Sequence, residues 1–120
     1  MAGMERKSLN SPEETRPFQD GKGQVELVTV TGGAVGRATF QPGWKWSEHV
    51  KPIAGTDSCQ AAHVGYYVSG RMVVRMDDGQ EVEYQPGDIG VMPPGHDAWV
   101  VGNEPCVVID WAGFENYAKA

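Results

Sequence analysis

His63–Gly95, HVGYYVSGRMVVRMDDGQEVEYQPGDIGVMPPG, is the stretch that decides the fold. Short runs rich in Val, Tyr, Ile and Met are cut by Gly70, by Asp77-Asp78-Gly79, by Pro86-Gly87-Asp88 and by Pro93-Pro94-Gly95. Asp-Gly between such runs is a strong hairpin signal, because the tight turn needs residues that tolerate positive φ. Gln80–Tyr84 alternates and should pair back on the run before the turn, since side chains two apart share a face of a strand. The spacing therefore predicts strands over His63–Ser69, Arg71–Met76, Gln80–Tyr84 and Ile89–Met92.

The same grammar extends outward. Val25–Thr31 and Ala34–Phe40 read as strands around Gly32-Gly33. Trp44–Lys51 reads as a strand after Pro42-Gly43, and Pro52–Ala62 as a loop. Asp97–Val101 and Cys106–Trp111 complete the set, and Phe114–Lys119 reads as a short helix or an edge. Short strands with turn signals every eight to twelve residues imply an all-β barrel or sandwich of two antiparallel sheets. Residues 1–20 read as an arm, and residues 21–120 as one domain, which suits a chain of 120 residues.

A net charge of −6 speaks against a nucleic-acid partner, which requires a clustered basic surface. No apolar run approaches the roughly 20 residues of a membrane span. The first twenty residues lack the apolar core of a secretory signal, so a soluble, cytoplasmic protein is expected. Two cysteines make no disulfide framework. Cys106, in an apolar strand, reads as a core residue. Cys59, in a loop near histidines, reads either as an idle thiol or as a thiolate ligand or reactive group.

The chain has three histidines, His49, His63 and His96. Each stands beside a strand or turn signature, so they are candidates for one site. Neutral imidazole is the commonest protein ligand for Zn, Fe, Ni and Cu.

The segment Gly43–Gly95 resembles the two motifs of the cupin family. Gly43, five residues, then His49 matches the start of the first motif. Lys51 stands where its second His belongs. His63, separated from Gly70 by six residues, takes the place of its Glu, with a loop inserted between Lys51 and His63. Gly87, five residues, then Pro93, Pro94 and Gly95 match the second motif, whose final His position holds Ala98, with His96 two residues earlier. The resemblance implies a cupin double-stranded β-helix, a jelly-roll barrel, and a homodimer. It also implies a divalent metal, Zn, Fe(II), Ni or Mn, held by His49, His63 and His96.

Strand parity would turn His49 and Lys51 toward the barrel interior, with Trp44 and Trp46 on the opposite face. Tyr67 shares the His63 face. Lys51 and Tyr67, with Cys59 from the loop near the histidines and Met92 and Trp99 as apolar or aromatic wall residues, are the expected pocket lining. Asp97 is a weak candidate for orienting His96, because adjacent strand residues point apart. Three functions are carried forward. One is a metal-dependent enzyme acting on a small organic molecule. Another is a metal-free or non-catalytic module that binds or senses a small ligand. The third is a metal-free structural or interaction protein.

Overall fold

Alternating side chains and Gly- or Pro-bearing turns resolve into nine strands in the computed structural model, which describes residues 3–114 and 117–119. These are β1 (Glu14–Pro17), β2 (Gly23–Val30), β3 (Gly33–Phe40), β4 (His63–Ser69), β5 (Arg71–Met76), β6 (Glu81–Tyr84), β7 (Ile89–Met92), β8 (His96–Val101) and β9 (Cys106–Asp110). A six-stranded sheet runs β1-β2-β3-β9-β4-β7, and a three-stranded sheet runs β6-β5-β8. Every pairing is antiparallel. This is the expected jelly-roll barrel.

The inward positions carry the core. Val25, Leu27, Ala38, Phe40, Tyr67 and Val108 from the large sheet are buried with Met72, Val74, Ala98 and Val100 from the small one. Burying each larger apolar side chain contributes roughly 1.5–3 kcal/mol before the entropy of ordering is counted. The bend between β4 and β5 is tight. Gly70 has φ +72, and a Cβ there would strike the backbone of Pro105 and Cys106, so only glycine fits.

Two expectations change. The stretch Trp44–Lys51 is not a strand but opens two helical turns, α1 (Trp46–His49) and α2 (Lys51–Ala54). Lys45 at the start of α1 offers no side-chain cap. The cap comes from β8 instead, where Asp97 Oδ1 accepts a hydrogen bond from the Ser47 N–H at 3.1 Å. Pro52 sits in the first turn of α2 and Gly55 closes it at φ 76, the arrangement of Pro at a helix start and Gly past its end.

The arm is also more than an arm. β1 pairs with β2 along its whole length, and Phe18 is buried in the core, stacked on Phe40 at 5.3 Å. Arg16 is buried and donates through Nη1 to the carbonyls of Phe114 (3.0 Å) and Tyr117 (2.9 Å). Residues 14–18 thus build one side of the barrel and hold the C-terminal segment across it. No helix among the described residues is long and apolar enough to cross a membrane.

Candidate metal centre

Three elements bring a thiol and two imidazoles together. His63 opens β4 and His96 opens β8, both on inward positions. Cys59 lies in the loop before β4, and backbone bonds lock it to the second of these strands. The Cys59 N–H donates to the His96 carbonyl at 2.7 Å, and the Cys59 carbonyl accepts from Gly95 at 2.7 Å. Cys59, His63 and His96 are all buried, and their ligand atoms lie within 4.8 Å of one another.

The second nitrogen of each ring is occupied. His63 Nδ1 donates to Asp110 Oδ2 at 2.7 Å in a fully buried contact. The other Asp110 oxygen accepts the N–H groups of Ala112 (2.8 Å) and Gly113 (2.7 Å), which fixes the carboxylate. His96 Nδ1 donates to the Pro93 carbonyl at 2.9 Å. Both Nδ1 partners are acceptors, so both Nδ1 atoms carry the proton and both Nε2 atoms are left as lone-pair donors. A ligand histidine whose other nitrogen is held by carboxylate or carbonyl is the usual support of a metal site.

Cys59 Sγ lies 3.7 Å from His63 Nε2. Bond lengths to a tetrahedral zinc would separate a thiolate and an imidazole ligand by about 3.5 Å. The residues present therefore fit a divalent ion. Burial pushes the Cys59 thiol up to about 11, with Asp110 and Asp97 adding to the rise against one backbone hydrogen bond from Ala61. Burial lowers His96 below the usual imidazole value, partly offset by the Pro93 carbonyl. Burial thus favours the protonated thiol at Cys59 and the uncharged imidazole at His96. A bound cation would take the place of the thiol proton.

Behind the cluster is a narrow cavity of about 30 Å³, whose walls include Trp44, Trp46, Tyr67, Met72, Met92 and Ala98. The tail packs against it too, with Phe114 and Tyr117 meeting the His63 ring edge-on at 5.4 and 5.2 Å. An outer cleft of about 450 Å³ lies beyond, bordered by Ala54, Cys59, Gln60, Ala61, Gly113 and Lys119. Trp46 and Tyr117 line both spaces and so form the partition between them.

Of the expected site residues, His63, His96, Cys59, Tyr67 and Met92 are at the centre or its walls. Three are not. His49 is buried elsewhere: on a helical turn, its Nδ1 takes the Lys45 N–H at 3.0 Å and its Nε2 lies 3.8 Å from Asp20. The helix replaces period two with period 3.6, which turns Trp46 and Val50 inward and His49 away from His63 and His96. Lys51, on α2, points to the surface, where Nζ is 3.8 Å from Asp57. Trp99 lies on the outward side of β8 under the Lys45 ammonium, 5.5 Å from the ring centre. Asp97 caps α1 and makes no contact with the His96 ring among those described.

Asp110 was the residue that sequence reasoning passed over. A signal existed. Cys106, Val108 and Asp110 share the buried face of β9, and a carboxylate on such a face must have a partner.

Residues 49–108 match the model of the EutQ-like cupin domain. The chain belongs to this cupin family. A protein of unknown function from Acidithiobacillus ferrooxidans is similar in structure, with TM-score 0.61 and 18% identity over 84% of this chain and 88% of that one. A protein of unknown function from Rhizobium leguminosarum has TM-score 0.59 and 19% identity over 92% and 99%. Both likenesses concern the fold alone. Oxalate decarboxylase from Bacillus subtilis, a protein with Mn(II) centres, has TM-score 0.53 and 26% identity. That match covers 85% of this cupin but 28% of the decarboxylase. No curated protein matches the chain.

Proposed function

We propose that this cupin binds one divalent metal ion through Cys59 Sγ, His63 Nε2 and His96 Nε2 and uses it on a small molecule in the barrel. The observation that carries the reading is the buried convergence of a thiol and two imidazoles, the Nδ1 hydrogen bonds of the imidazoles leaving their Nε2 lone pairs available. One thiolate and two imidazoles favour Zn, Fe(II) or Ni over Mn, which prefers oxygen ligands. The Mn(II) of the decarboxylase therefore does not transfer to this donor set. When bound, such an ion supplies a Lewis acid with an open position for water or substrate. The chain's own residues do the rest. Asp110 and the Pro93 carbonyl orient the imidazoles, and Trp46, Phe114 and Tyr117 keep bulk water out.

Elemental analysis of protein purified without a histidine tag or chelator tests this. About one equivalent of metal per chain is expected. Cys59→Ser, His63→Ala and His96→Ala should each lose it, while His49→Ala keeps it. Asp110→Asn should weaken affinity by about 10- to 100-fold, the usual cost of losing a supporting carboxylate. Full metal retention in His63→Ala, or no metal and no reconstitution in the unmodified chain, would end the reading. The second outcome would favour the metal-free binding module, which the largely apolar, aromatic cavity wall also suits.

We also propose that two copies associate through the outer face of β9, β4 and β7. Tyr66, Val68, Ile89 and Val91 are exposed there, with Val64, Val107 and Ile109 half-buried between them. The patch has no charge, ends in an edge strand and is therefore compatible with its own copy about a two-fold axis.

A further inference from the structure

Trp44 is 1% exposed and lines the same cavity as His63 and His96. Its Nε1–H has no acceptor among the described residues. Buried indole N–H groups are nearly always paired, so an orphan on a cavity wall points to something the cavity holds. A second donor there is poorly served. The Tyr67 hydroxyl donates to the Met72 thioether at 3.7 Å, a weak acceptor.

The cavity has little to offer these donors in return. Its walls include no Asp or Glu, and apart from the Tyr67 and Tyr117 hydroxyls and the weakly accepting thioethers of Met72 and Met92 its aromatic and aliphatic side chains accept nothing. The two Nε2 lone pairs belong to the candidate metal centre. The Trp44 N–H is thus left without a partner beside this space, and its complement is an oxygen acceptor.

We propose that the cavity binds a small carboxylate or carbonyl compound, with Trp44 Nε1–H donating to its sp² oxygen and so positioning it beside His63 and His96. This deepens the reading above and rests on it for the location of the site. Trp44 is a positioning residue. The resting volume of about 30 Å³ limits the occupant to a few heavy atoms; a larger one requires Phe114 and Tyr117 to give way. A single water would also fit that space, and it is the rival occupant.

The test is a titration of protein carrying ¹⁵N in its four tryptophan indoles, followed in a proton–nitrogen correlation spectrum. The probes are formate and formamide, equal in size and different in charge, with sodium chloride as the ionic control. Both zinc-loaded and metal-free protein are titrated. Trp44→Phe assigns the Trp44 signal, and the three remaining indole signals report whether that variant is folded. The Trp44 signal should move saturably with at least one probe and not with chloride. Ala98→Leu, which fills the cavity from another wall and leaves Trp44 in place, should abolish the movement. Trp44→Phe should weaken probe binding by about tenfold or more, as expected for a lost hydrogen bond to a charged or strongly polar group, with zinc stoichiometry unchanged.

No movement with either probe in protein that holds zinc would overturn the proposal, assign the cavity to water and leave the metal centre standing. Movement that persists in Ala98→Leu would also overturn it. A shift in protein that binds no metal would sustain the proposal while the metal reading fails.

Discussion

At the scale of single residues, burial does the most work on the two thiols. Cys106 lies inside β9 with no exposed surface, and burial, with Glu104 nearby, pushes its thiol up to about 12. In the unfolded chain a thiol ionises near its ordinary 9. Between these values the folded state holds a proton that the unfolded state has released, so stability falls as pH rises through that window and is unaffected below it. The urea midpoint of the unmodified protein should therefore drop between pH 8.5 and about pH 10.5. Cys106→Ala should start lower, because it leaves a small cavity, and drop less steeply over the same interval. Equal slopes for the two proteins would refute a buried Cys106 thiol.

The elements most open to test are those whose supports lie far away in the chain. α1 depends on Asp97, 50 residues on. Asp97→Ala should cost about 1 kcal/mol, the usual loss of a helix cap, and loosen Trp46 at the partition between cavity and cleft. β1 gives a sharper comparison. Removing residues 1–13 should leave a folded barrel. Removing residues 1–18 also takes the β1 ladder, the Arg16 bonds to the tail and Phe18 from the core. That deletion should lower the thermal midpoint by well over 10 °C, since burying one large aromatic side chain is already worth about 1.5–3 kcal/mol and each kcal/mol shifts such a domain by roughly 4–8 °C. Equal midpoints for the two truncations would show that β1 is dispensable. Gly113 has a similar hold on the site. A methyl group there would overlap His63 Nδ1 and the Ala62 carbonyl, so the turn after β9 can pass the imidazole only as glycine.

At the scale of the whole molecule, the barrel has two dissimilar outer halves. Over β3 the N-terminal segment folds back, with Arg37 donating to Asn10 and to the Leu9 carbonyl. Over β4 and β7 nothing of the chain does so among the described residues, and Val91 is 65% exposed. Val91→Glu should convert a dimer to a monomer without changing the circular dichroism spectrum, because the side chain faces outward and a charge in an apolar interface is costly to bury. Sedimentation that gives a monomer for the unmodified protein would remove the proposed interface.

The sequence by itself determined the strands. Period-two alternation and turn residues are local properties, and β4, β5 and β7 run over the residues that the pattern marks. It also determined the barrel, through the number and spacing of those strands, and through parity it put Tyr67 on the same face of β4 as His63. Only the tertiary structure decided the donor set. Helical geometry imposed on Trp46–His49 by a cap from Asp97 withdrew His49 from the centre. A backbone bridge to His96 brought Cys59 into it. Asp110, 47 residues from His63, supplied the carboxylate that orients the ring. Each of these is a contact between segments remote in the chain, and no local period or turn preference encodes which remote partner a side chain will meet.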